Sequence, residues 1–80
     1  MKLKVTNKKN GKTWTEENQN HSWKEFALEM VKNHPEMSII YCDIESIERS
    51  FDGEWYILDE CGNYDYIPTD EYSIEEIKDL

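Results

Sequence analysis

The sequence predicts an α+β domain: an antiparallel β-meander packed by one amphipathic helix, with an N-terminal strand or hairpin before it and a short C-terminal helix after it. Three observations carry that prediction. Residues 23–33 repeat their apolar side chains at helical spacing. Three apolar runs beyond residue 37 are separated by Asp52-Gly53 and Gly62-Asn63. An Asn10-Gly11 pair sits between two extended segments near the start. Eighty residues make a single domain, 1–80. A chain this short buries only about 60–65% of the surface its unfolded form exposes, so each aromatic counts.

Leu3 and Val5 alternate with Lys2, Lys4 and Thr6, the pattern of a strand with one apolar face. Asn10-Gly11 then turns the chain, because both residues accept the positive φ of a type I′ turn. A two-residue loop there sets Asn7 opposite Trp14 and puts Leu3, Val5 and Trp14 on one face. Residues 16–21 are polar and read as a loop.

The helix begins after Ser22, which with Glu25 forms a capping box. Trp23, Phe26, Ala27, Met30 and Val31 follow the spacing of one buried stripe. It ends at Asn33-His34-Pro35, since the residue before a proline is pushed out of the helical region. Ile39, Ile40, Tyr41, Ile44 and Ile47 give residues 37–50 the content of a long strand. Asp52-Gly53 leads into a second strand over 54–59, and Gly62-Asn63 into a third that Pro68 ends. Ser73 and Glu76 repeat the capping-box spacing, with Tyr72 and Ile77 at the staple positions, and predict the C-terminal helix.

The net charge of −9 is unevenly spread: residues 1–15 carry +5, residues 16–42 carry −3 and residues 43–80 carry −11. A field this negative repels phosphate backbones and anionic membranes, so neither direct nucleic-acid binding nor membrane association is expected. Lys2, Lys4, Lys8, Lys9 and Lys12 should dock beside acidic residues of the same chain or of a neighbouring copy. No apolar run approaches the roughly 20 residues of a membrane span. The N-terminus lacks the apolar core of a signal peptide, and a cytoplasmic location follows as the expectation.

Chemistry is hard to find. Cys42 and Cys61 are too few for a secreted disulfide scaffold and read as free, packed thiols. A two-residue turn at Asp52-Gly53 pairs Ile44 with Cys61 and leaves Cys42 diagonal to it, too far for good disulfide geometry. No C-x-x-C or H-x₃-H spacing suggests zinc, and His21 and His34 flank the helix roughly 20 Å apart at about 1.5 Å per residue. Asp59 to Asp65 has the look of a calcium loop, but Cys61 and Tyr64 occupy the positions that need an oxygen ligand and a glycine. Both cysteines lie in the acidic half, a poor setting for a thiolate nucleophile. No enzymatic activity, cofactor or metal is expected.

Two surfaces remain. Trp55, Tyr56, Tyr64, Tyr66 and Tyr72 are more aromatics than one sheet face hides under a single helix, and exposed Tyr and Trp favour protein interfaces. Asp43, Glu45, Asp59, Asp65, Asp70 and Glu71 supply part of the row of carboxylates that a nucleic-acid mimic needs.

The runs Cys42-Asp43-Ile44-Glu45, Asp52-Gly53, Tyr56-Ile57-Leu58 and Asp59-Glu60-Cys61-Gly62-Asn63-Tyr64 give residues 37–71 their character. This stretch, under half the chain, resembles small acidic proteins encoded by phages and prophages of Gram-positive bacteria. The resemblance implies an accessory role in a bacterial cytoplasm and carries over no catalytic residue. The functional expectation is therefore a non-enzymatic accessory protein that binds another protein or a second copy of itself. The alternative is an acidic mimic that inhibits a DNA- or RNA-binding enzyme of the host.

Overall fold

Alternating residues at the N-terminus build the centre of a sheet. β1 (Lys2–Asn7) buries Leu3, Val5 and Asn7 on one face and lies between β2 (Thr13–Glu17) and β6 (Tyr72–Ile77), antiparallel to both. The chain is seen in a computed structural model that describes residues 1–19, 23–37 and 43–78. The expected cap at Ser22, together with His21, Ile39, Ile40, Tyr41 and Cys42, lies outside the described residues.

The first hairpin pairs Val5 with Trp14, and Asn7 accepts the Gly11 N–H while donating its own to Lys12 O. The loop is thus four residues, 8–11, rather than two. The register differs by two from the predicted one. A slip of two keeps every side chain on its face, so Trp14 still shares the buried side with Leu3 and Val5.

Helix α1 (Lys24–Asn33) buries Phe26, Ala27, Met30 and Val31, and Trp23 just before it is buried too. Trp23 stands at its N-cap position and gives no side-chain cap hydrogen bond. Its end is closed by the His34 N–H, which donates to Met30 O at 2.7 Å. Phe26 is the hub of the core: its ring lies 5.2 Å from Trp14, 5.3 Å from Tyr72 and 6.2 Å from Trp23. The Trp23 indole N–H donates to Glu17 O at 2.8 Å, which satisfies a polar atom inside that cluster.

The second sheet is the expected meander: β3 (Ile44–Arg49), β4 (Trp55–Asp59) and β5 (Tyr64–Tyr66). Its inner face supplies Ile44, Ile47, Ile57 and, just past β5, Ile67 to the same core. The Ile47 N–H donates to Asn18 O at 2.9 Å and ties the two sheets together. Both turns of the meander have three-residue loops, closed by pairing of Ser50 with Glu54 and of Asp59 with Asn63. Gly53 and Gly62 take the last loop position at φ of 90° and 87°, a conformation that side chains with a Cβ rarely adopt.

Two expectations are corrected here. Residues 72–77 form strand β6, not a helix. The Ser73/Glu76 spacing is a local signal, whereas β1 offers six residues of pairing. The expectation for Cys61 also changes. The three-residue turn moves the β3–β4 register by one, and a bulge at Glu45 moves it again, so Ile44 pairs with Asp59 rather than with Cys61. Cys61 is disulfide-bonded, not a free thiol.

The lysine-rich hairpin makes its contacts within the chain. Lys12 Nζ lies 3.1 Å from Glu25 and 3.2 Å from Glu29 of α1, and Lys8 Nζ donates to Thr69 O at 2.8 Å. Lys2 and Lys4 stand opposite Glu17 and Glu75 in the sheet register.

Candidate functional site

Strand alternation sorts the predicted aromatics into two groups. Tyr56 pairs with Tyr66, and Leu58 with Tyr64, so all four side chains project from the outer face of the meander. Across β3 the same rows continue with Glu48 beside Tyr56 and Ser46 beside Leu58. The three tyrosine rings meet edge to face, with centroids 5.5 Å (Tyr56–Tyr64), 6.1 Å (Tyr56–Tyr66) and 5.9 Å (Tyr64–Tyr66) apart. Tyr64 is 55% exposed and Tyr66 50% exposed. Cross-strand aromatic pairs contribute roughly 0.2–1 kcal/mol each, so the cluster also helps hold the three-residue strand β5.

The other two aromatics do not join them. Trp55 is half-buried against the core, with the Arg49 guanidinium 5.5 Å from its ring. Tyr72 belongs to the first sheet and is 1% exposed, so it offers no surface to a partner.

The predicted acids are also divided. Asp43 and Glu45 are exposed, and Asp65 is half-buried opposite Ile57. Asp59 is 0% exposed and serves the turn. Its Oδ1 accepts the N–H groups of Cys61 at 3.0 Å and Asn63 at 2.8 Å, and its Oδ2 accepts the Asn63 amide at 3.3 Å. Those bonds are the hairpin chemistry that gave the segment its calcium-loop look. Among the described residues no group of three or more His, Cys, Asp and Glu side chains is placed to hold a metal ion.

One residue escaped the sequence reading. Phe51 heads the β3–β4 loop and is fully exposed, with Asp52 and Glu54 exposed beside it. The signal was present: a phenylalanine next to an Asp-Gly turn occupies a place where a solvated residue is usual.

Two recesses bear on the site. The larger, about 630 Å³, lies between the first hairpin and α1, where Lys12 pairs with Glu25 and Glu29, the Asn7 and Asn10 amides donate to Glu29, and Lys9 and Lys32 complete the lining. Burial pushes the Glu29 carboxyl pKa up, but hydrogen bonds from Lys12, Asn10 and Asn7 and the Lys12 charge together outweigh it and leave the group below its ordinary value. The smaller, about 310 Å³, opens on the meander's outer face between Glu45 and Glu48, with Ser46, Leu58 and Gln19 around it.

A second charged contact fastens α1 to the β5–β6 connection. His34 Nε2 lies 2.5 Å from Glu71 and Nδ1 3.5 Å from Glu36. The hydrogen bond to Glu71 raises the imidazole pKa above 6.5, with partial burial opposing it. Since the folded pKa is raised, the stabilisation is fully present below about pH 6.5 and is lost as pH climbs through the folded value. Glu71 remains in contact with water, so the gain is about 0–1 kcal/mol. The melting temperature should therefore decline slightly from pH 6 to pH 8.5. His34→Gln should flatten that decline, and an unaltered slope would assign it to other groups.

Comparison with known proteins finds no family model, no curated protein and no solved structure that matches this chain.

Proposed function

We propose that this chain is a non-enzymatic accessory protein of the phage or prophage type, acting by binding another protein through the outer face of β3-β4-β5. The observation that carries this reading is the tyrosine cluster. The core closes without Tyr56, Tyr64 and Tyr66, and their surface is spent on the water-facing side. Phe51 adds a further exposed ring at the hairpin tip of the same sheet. Aromatic side chains in such positions are typical anchors of protein interfaces. The resemblance of residues 37–71 supports the accessory role, and a cytoplasmic location belongs to the same reading. No helix among the described residues is long and apolar enough to cross a membrane. The exposed disulfide at Cys61 is at odds with a reducing compartment, and the thiol state in cells decides that point.

Mimicry of nucleic acid ranks second. Of the six acids in its row, Asp59 is committed to a turn and Glu71 to His34. A mimic's complex would dissolve as salt rises towards about 0.5 M, whereas an aromatic interface would persist.

The test separates binding from folding. Tyr64→Ser with Tyr66→Ser should cost no more than about 1–2 kcal/mol of stability, by the cross-strand scale. The same pair should abolish self-association in sedimentation or capture of the specific partner. Retention of both by the double variant would refute the proposed face.

A further inference from the structure

We propose that the recess between Glu45 and Glu48 is an arginine-binding subsite for a basic segment of the partner protein, in the same cross-strand rows as Tyr56 and Tyr64. This rests on the protein-binding reading above. The recess, about 310 Å³, is lined by the apolar Leu58 and by two acids, Glu45 and Glu48, with Ser46 and Gln19. Glu45 stands out because it is the residue added by the β3 bulge, and Glu48 sits in the same row as Tyr56. An aliphatic stem over Leu58 with a planar, five-donor head between two carboxylates is the chemistry of arginine.

The tyrosines favour the same occupant. A guanidinium stacks on aromatic faces, and the opposite face of this sheet already seats one, that of Arg49, over Trp55. Among the described residues no cation lies over the three tyrosine rings. Other ligands fit less well. A cage for a quaternary ammonium group needs rings spread around a lumen, and centroids 5.5–6.1 Å apart are in contact with each other. Mutually tilted rings make no flat platform for a sugar. A nucleic acid meets the negative field of a chain at −9.

The probe is a nona-arginine peptide, titrated into the full-length isotope-labelled protein at about 50 mM salt and followed by amide chemical shifts. Shifts should centre on Glu45, Ser46, Glu48, Leu58 and Tyr64. Nona-lysine should bind at least about fivefold more weakly, because it lacks the planar fork. Glu45→Gln with Glu48→Gln should weaken the arginine peptide about tenfold or more while leaving the melting temperature in place. Equal affinity for the two peptides, shifts centred on Glu75 and Glu76 of the other sheet, or an indifferent double variant would each overturn the subsite. If any of these occurs while partner capture still depends on Tyr64 and Tyr66, only the subsite falls. If capture is also independent of the tyrosines, the protein-binding face falls with it.

Discussion

Replacing Phe26 by alanine should destabilise the domain by about 3–5 kcal/mol, the range for removing a fully buried aromatic ring. Phe26 is wholly buried and is the one ring that meets Trp14, Trp23 and Tyr72 together, so a single truncation removes three aromatic pairs from helix and sheet. Each pair is worth about 0.5–1.5 kcal/mol beyond its buried area. A domain of this size changes its melting temperature by about 4–8 °C per kcal/mol, so the variant should melt at least about 12 °C lower. Thermal and urea unfolding measure this directly. A loss under about 1 kcal/mol would mean that the helix does not pack through this face.

Reduction of the disulfide at Cys61 should lower stability by about 2–4 kcal/mol, the usual effect of releasing a native cross-link. Cys61 sits in the three-residue loop between β4 and β5. Releasing it loosens the segment from which Tyr64 and Tyr66 project, so fluorescence of the tyrosine cluster should change along with the melting temperature. The Cys61 thiol should be silent to a thiol reagent in unfolded, non-reduced protein and should react after reduction. Reaction before reduction, with identical melting curves in the two states, would show that the cross-link does not form in solution.

The elements that were legible in the sequence are those whose evidence is local and periodic. The apolar stripe of α1 is a run of i, i+3 and i+4 positions. The first hairpin kept its face despite a loop two residues longer, because a slip of two restores the alternation. The three-residue loops were not legible. Asp-Gly suits a two-residue turn and the end of a three-residue one equally well, and the choice shifts the register by one. That single step, compounded by the bulge at Glu45, is why Ile44 meets Asp59 and not Cys61. Strand β6 was hidden for a different reason: its capping-box spacing is local, whereas the open side of β1 is visible only once the fold is assembled.

The candidate surface divides in the same way. Tyr56, Tyr64 and Tyr66 share a face by simple alternation across a meander that the sequence implied. Tyr72 was grouped with them because nothing in the sequence says that it pairs with β1 in the other sheet. Asp59 resembled a ligand because a carboxylate that organises a turn and one that binds calcium call for similar neighbours. Glu45 and Glu48 form a pair only because the bulge and the pleat place both beside one recess.

The central claim is that the outer face of β3-β4-β5 meets a protein partner, and site-specific photo-cross-linking tests it most directly. A benzophenone side chain replacing Tyr66 reports on that face, and the same group replacing Thr15 reports on the exposed outer face of the other sheet. Irradiation in cells that express the full chain should yield a discrete adduct from position 66 and none from position 15. No adduct at position 66, or the same adducts from both positions, would contradict the account.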